Sequence, residues 1–133
     1  MINQIAVFLE NRKGRVGECC KALKESGINL CSMSIADTRD FGILRVMTDN
    51  NDEAIKALKA AGFMCSTVQV IGMEVPDKPG ALADILIALD AAGVNIEYLY
   101  SFANAAGKAH IGFKTEDEET ACRLLEKMNV KVI

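Results

Sequence analysis

The chain has 133 residues, half of them hydrophobic and a quarter charged, with ten glycines and two prolines. So much apolar surface must be buried, which excludes collagen, low-complexity linkers and broad disorder. Eighteen acidic residues against fifteen basic ones leave a net charge of −3, which argues against coating a nucleic acid.

In chain order, Ile5, Val7 and Leu9 alternate as a strand does. Val16, Cys19, Cys20 and Leu23 recur at the spacing of one helical stripe, and Gly27 supplies a C-terminal stop that tolerates positive φ. Residues 28–36 and 42–48 read as second and third strands. Residues 52–61 read as a second helix and residues 64–70 as a fourth strand. The β-branched run over 68–75 opens a second series. There Leu82, Ile85, Leu86 and Leu89 repeat the helical stripe, Gly93 repeats the stop, and strands are expected over 94–102 and 107–114. Residues 116–128 form the last helix, with Thr115-Glu116-Asp117-Glu118 as its expected capping box. Residues 130–133 close the chain.

The two series are copies. At a shift of 66, Gly14, Ala22, Leu23, Gly27 and Asn29 match Gly80, Ala88, Leu89, Gly93 and Asn95. At a shift of 67, Thr48, Ala54 and Leu58 match Thr115, Ala121 and Leu125. The expected fold class is therefore α+β, with two ferredoxin-like βαββαβ modules over 1–69 and 70–133. Each has an antiparallel sheet and helices on one face, because βαβ crossovers are right-handed. The second face and the sheet edges stay open, so pairing is expected within the chain or between chains.

Chemistry concentrates where each first strand turns into its helix, at Asn11-Arg12-Lys13-Gly14 and Asp77-Lys78-Pro79-Gly80. The N–H groups that follow each glycine are unpaired donors at a positive helix end, suited to a small carboxylate. Asn11 or Asp77, with Asn29 or Asn95, offers acceptors for an ammonium. Those asparagines open the second strands and are expected beside the loop. An Asp or Asn at such a position also serves as a plain helix cap.

Asp77-Lys78-Pro79-Gly80-Ala81-Leu82 followed by Ala92-Gly93-Val94-Asn95-Ile96 resembles the ACT domain, the amino-acid-sensing module of metabolic enzymes. Asn11-Arg12-Lys13-Gly14 with Ser26-Gly27-Ile28-Asn29-Leu30 is similar, with Lys13 in place of the proline. The resemblance implies side-by-side pairing through first helices and second strands, with effector amino acids held at that seam. It implies ligand contacts at Asn11 and Asn29, and at Asp77 and Asn95; together with the helix-opening N–H groups, the expected site residues are Asn11, Gly14, Arg15, Val16 and Asn29 in the first copy and Asp77, Gly80, Ala81, Leu82 and Asn95 in the second. In serine-binding members a histidine lies two residues before the loop asparagine. Here that position is Leu9 or Val75, so the contact is missing.

The expectation is a non-catalytic cytoplasmic sensor that binds a free amino acid and forms a homodimer. Its alternative is a trans-acting regulatory or docking subunit of a biosynthetic enzyme, without a ligand of its own. No cofactor, metal, nucleic acid or membrane partner is expected. No apolar run reaches the ~20 residues that cross a bilayer, and Met1-Ile2-Asn3-Gln4 does not open like a secretory signal. Five cysteines without a C-x-x-C spacing read as reduced thiols. The single histidine, His110, is tied to no nucleophile. Tyr98, Tyr100 and Phe102 alternate on one strand face as in RNA-binding sheets, but Ser32, Ser34 and Ala36 stand there in the first copy and no basic patch accompanies them.

Overall fold

In a computed structural model, which describes residues 1–37 and 40–133, the alternating opening segment is β1 (Ile2–Glu10), with Ile5, Val7 and Leu9 buried. It leads into α1 (Arg15–Glu25), β2 (Leu30–Asp37), β3 (Phe41–Thr48) and α2 (Asn51–Ala60). Next come β4 (Met64–Pro76), α3 (Ala81–Ala91), β5 (Tyr98–Ala105), β6 (Lys108–Lys114), α4 (Glu118–Lys127) and β7 (Lys131–Val132). The chain divides into a first module, Asn3–Val68, and a second, Gln69–Ile133 with Met1–Ile2. The N-terminal ammonium donates to the Ile133 carbonyl at 3.0 Å, which ties Met1 to the second module.

In the first module β3 lies between β1 and β2, antiparallel to both, and β4 lies on the other side of β1. In the second module β6 lies between β4 and β5, antiparallel to both, and β7 pairs with β4 through Met73 and Val132. Both are βαββαβ modules of the ferredoxin-like class, helices on one face, as the duplicated pattern implies. Each closes its own core. Ile5, Val7 and Leu9 pack with Cys19, Leu23, Leu44, Val46, Ala54 and Leu58 in the first. Ile71, Met73 and Val75 pack with Ile85, Leu89, Ile111, Phe113, Ala121 and Leu125 in the second.

Three expectations need correction. The second strands start later than the patterning suggests, at Leu30 and Tyr98. Ile28 and Val94 instead close the preceding helices: their N–H groups donate to the carbonyls of Leu23 and Leu89, both at 3.0 Å, while Gly27 and Gly93 take φ of 70° and 78°. That is the Schellman arrangement, in which the apolar residue after the glycine packs back on the helix. The capping box is not formed. Asp117 caps α4 by accepting from the Thr120 N–H at 3.1 Å, and the Thr115 hydroxyl accepts from the Asp117 N–H at 3.3 Å. The expected segments 64–70 and 68–75 are one continuous strand, β4, because no glycine or proline interrupts them before Gly72.

The five cysteines are unbridged. Cys19 faces the first core, and burial foremost, with Cys20 and Cys65 nearby, pushes its thiol from the ordinary 9.0 up to about 11, against a smaller opposing pull from Arg15. A raised pKa means the folded state holds the proton more tightly. The stability this contributes is complete below pH 9.0 and is lost as pH climbs toward about 11. Alkylation of the native protein near pH 8 is therefore expected to modify exposed Cys31 first and to leave Cys19 unmodified until the module unfolds. Peptide mapping by mass spectrometry reads the order directly.

Candidate functional site

The loop between β1 and α1 and the loop between β4 and α3 share one backbone design. The Arg12 N–H donates to the Glu10 carbonyl at 2.8 Å, and the Lys78 N–H to the Pro76 carbonyl at 2.9 Å. The Asn11 N–H is held by the Asp40 carbonyl and the Asp77 N–H by the Gly107 carbonyl, each at 2.9 Å, so each loop is pegged to the turn of the neighbouring hairpin. The helices are then opened by Gly14 and Gly80, at φ 90° and 88°, with no side chain capping either one. Any residue with a Cβ is strained at that φ. Asn11 and Asp77 are thus not the helix caps, and the plain structural reading of these two residues does not hold.

Arg15 and Ala81, the first helical residues, bond weakly back to the carbonyls of Arg12 and Lys78, at 3.4 and 3.3 Å. Their N–H groups are engaged. The open donors are one step further on: among the described residues, no acceptor lies within reach of the N–H groups of Val16 and Gly17, or of Leu82 and Ala83. Gly17 and Ala83 are therefore site candidates that the sequence reading omitted. The count of unpaired donors in a first helical turn would have found them.

The two openings differ in what surrounds them. In the second module a pocket of about 240 Å³ is walled by Val75, Leu82, Ala109 and Ile111 and carries Asp77, Lys78, Ser101 and Asn104 at its polar side. Neither the Asp77 carboxylate nor the Lys78 ammonium has an ion-pair or hydrogen-bond partner among the described residues. In the first module the matching hollow, between Leu9, Asn11, Arg12, Val16 and Ile35, measures only about 50 Å³. Arg12, the counterpart of Lys78, is held there by Glu10 at 3.0 Å. Proline at position 76, where the first module has Glu10, is what leaves Lys78 uncommitted. Ser101 and Asn104 were not anticipated. They lie near the end of β5, which runs parallel to the first strand of the module and so finishes beside its loop, and a register shift between Ser101 and Ala103 sets their placement.

Arg15 does not point into the hollow. Its guanidinium lies 4.3 Å from the centroid of the Phe63 ring and pairs with Glu18 at 2.7 Å, while its buried Nε has no hydrogen-bond partner among the described residues. Contact of this kind with an aromatic face is attractive in its own right.

Asn29 and Asn95 are not beside the loops of their own modules. The register runs from Glu10 opposite Phe41 at one end to Leu30 opposite Thr48 at the other. At ~3.4 Å per residue that separates Asn29 from Asn11 by about 20 Å or more. Asn29 is bonded at the far end, its N–H to the Asp49 carboxylate at 3.1 Å and its carbonyl to the Asp49 N–H at 3.2 Å. The second module is alike: the Glu97 N–H donates to the Lys114 carbonyl, and the Asp77 loop lies at the other end of β6. The cause is topological, because a helix returning over the sheet delivers the chain to the end where the first strand began.

No group of His, Cys, Asp and Glu able to hold a metal occurs among the described residues, and no described helix is long and apolar enough to cross a membrane. His110 lies on the sheet face away from the helices, its Nε2 3.3 Å from the Glu74 carboxylate.

The family model of the ACT domain pair matches residues 1–133. Protein BT0572 from Bacteroides thetaiotaomicron is 39% identical over 98% of this chain and 90% of its own, with a TM-score of 0.90. The regulatory subunits of aspartate kinase from Thermus thermophilus and Thermus flavus are 19% and 20% identical over 94% of this chain. They share the fold, at TM-scores of 0.66 and 0.62 over 91% and 90% of their own lengths. No curated protein matches.

Proposed function

This chain belongs to the ACT domain pair family, and on that premise we propose that it is a non-catalytic cytoplasmic regulator that binds one free amino acid at the opening of its second module. The observation that carries the reading is the pairing of an uncommitted carboxylate and an uncommitted ammonium, Asp77 and Lys78, on one pocket of about 240 Å³. A zwitterion presents the complementary pair. The Lys78 ammonium and the N–H groups of Leu82 and Ala83 receive the carboxylate, and Asp77, with Ser101 or Asn104, receives the ammonium. Val75, Leu82, Ala109 and Ile111 leave an apolar wall for a small side chain. The opening at Asn11, Gly14 and Arg15, at about 50 Å³ and with Arg12 already paired, is the weaker receptor.

Asn95 joins such a site only from a second copy. The strand β5 is an edge strand with exposed Leu99, and Ile87 on α3 is exposed. On the first module Val16, Met33 and Ile35 form a similar exposed apolar edge. Antiparallel pairing of two copies along such an edge sets the start of one second strand beside the end of the other, which closes the 20 Å gap. The same edges support the second reading, a docking subunit of a biosynthetic enzyme, with the enzyme in place of the second copy.

A thermal-shift panel of the twenty amino acids tests the choice. At least one is expected to raise the melting temperature in proportion to the logarithm of its concentration, by several degrees at ~100 Kd. No shift with any of them, together with no heat by calorimetry, would reject the sensor in favour of the docking subunit.

A further inference from the structure

The two helix openings can be compared row by row across the strands beneath them. In the second module Val75, Ala109 and Asn104 are register partners across β4, β6 and β5. Met73, Ile111 and Ser101 make the next row, further from the loop. The first module has Leu9, Gly42 and Asp37 in the row beside its loop, then Val7, Leu44 and Ile35. Between its two rows β5 carries one extra residue, Phe102, where β2 has none. A bulge of this kind bends a strand and re-aims its side chains.

The further row carries the difference between the sites. Ile35 lies across its neighbour in the nearer row: a Cβ on Gly42 would meet the Ile35 Cδ1 at 3.4 Å. With Leu9 and Val16 it fills the first hollow to about 50 Å³. Its counterpart in the second module is Ser101, which ends at a hydroxyl, and there the hollow measures about 240 Å³. The exchange is coupled. Ala109 stands where the first module has Gly42, so a side chain lying as Ile35 does would rest against the Ala109 methyl group.

Charge sets a second limit. Among the described residues that line the larger pocket, Asp77 and Lys78 alone are charged, and a zwitterion uses both. A third charge on the ligand would lose hydration without gaining a partner. Asn104, in the row beside the loop, is placed to share the ammonium with Asp77. Ser101, one row further away beside Ile111, borders the apolar part of the hollow, where the ligand's side chain lies.

We propose that the second module selects an uncharged aliphatic amino acid, and that Ser101 is its specificity-determining residue, acting by the space it leaves rather than by its hydroxyl. The inference rests on the amino-acid site proposed above and narrows its ligand class.

Calorimetric titration of the full chain with alanine, valine, leucine, phenylalanine, aspartate and lysine tests it. Each methylene buried against such a wall adds about fourfold in affinity, so valine or leucine is expected to bind roughly 10-fold or more tightly than alanine. Aspartate and lysine are expected to bind more weakly than alanine. Ser101→Ala keeps the space, and its affinities are expected to stay within about threefold of wild type. Ser101→Ile restores the first module's side chain, and is expected to weaken valine and leucine roughly 30-fold but alanine less than about fivefold. Ser101 is exposed and isoleucine suits a strand, so an unchanged melting temperature without ligand is expected for this variant. Equal losses for alanine and leucine would overturn the proposal, because an effect through the fold or the strand edge does not discriminate by ligand size. Tightest binding of aspartate, lysine or phenylalanine would also overturn it, as would a loss in Ser101→Ala equal to that in Ser101→Ile. In those cases the amino-acid site itself stands. Binding of none of the six, nor of any other amino acid, would remove the site and this inference with it.

Discussion

Asp77→Ala is expected to weaken amino-acid binding by roughly 10- to 100-fold, and Asp77→Ala with Lys78→Ala to remove the thermal shift altogether. Each side chain makes a charge-assisted hydrogen bond to the ligand in the proposed pose, a contact worth about 1.5–3 kcal/mol, and each 1.4 kcal/mol is a factor of about ten in affinity. Stability without ligand should hardly move, because Asp77 is exposed, caps no helix and pairs with no cation among the described residues. Arg12→Ala is the matched control. It removes the equivalent cation of the first module, which Glu10 already holds, and is expected to leave the ligand-induced shift intact. Equal shifts in wild type and the Asp77/Lys78 double variant would remove the second module's opening as the site. Loss in Arg12→Ala alone would move the site to the first module.

Much of this arrangement is legible in the residues. Apolar periodicity gives the strands and helices, and the recurrence of Gly14, Gly27 and Asn29 as Gly80, Gly93 and Asn95 gives the duplication. The start of the second strand is not, because Ile28 and Val94 are β-branched residues that read as strand openers, while their N–H groups serve the helix end. The asparagines are misplaced for a different reason. Motif proximity suggests that a loop and a Gly-x-Asn segment meet, but a crossover helix carries the chain the full length of the sheet between them. That consequence follows from topology alone and needs no side-chain detail. Ser101 and Asn104 are a harder case. Their position by the pocket depends on the register shift in β5, which alternation does not reveal. Nor do single residues taken one at a time reveal that Pro76 frees Lys78, because the effect exists only in comparison with the Glu10–Arg12 pair of the other copy.

Phe113→Ala is expected to cost about 3–5 kcal/mol, the range for emptying a large fully buried aromatic site. Phe113 is wholly inaccessible, faces Ile71 on β4 and Leu99 on β5 across the sheet, and belongs to the core with Ile85, Leu89, Ala121 and Leu125. Elements from both sides of β6 line the vacated volume, and strands held in a hydrogen-bonded ladder cannot close over it. Phe113→Leu keeps most of the volume and should cost less than about 1.5 kcal/mol. A small difference between the two would mean that the site collapses rather than remaining open. The loss should also be local. The first module has a separate core around Leu23, Leu44 and Leu58, so hydrogen exchange in Phe113→Ala is expected to accelerate at the amides of Lys108–Lys114 while those of Phe41–Thr48 keep their protection. Equal acceleration in both strands would show that the two cores unfold as one cooperative unit. Any amino-acid response seated on Asp77 would then report on the whole chain rather than on its second half.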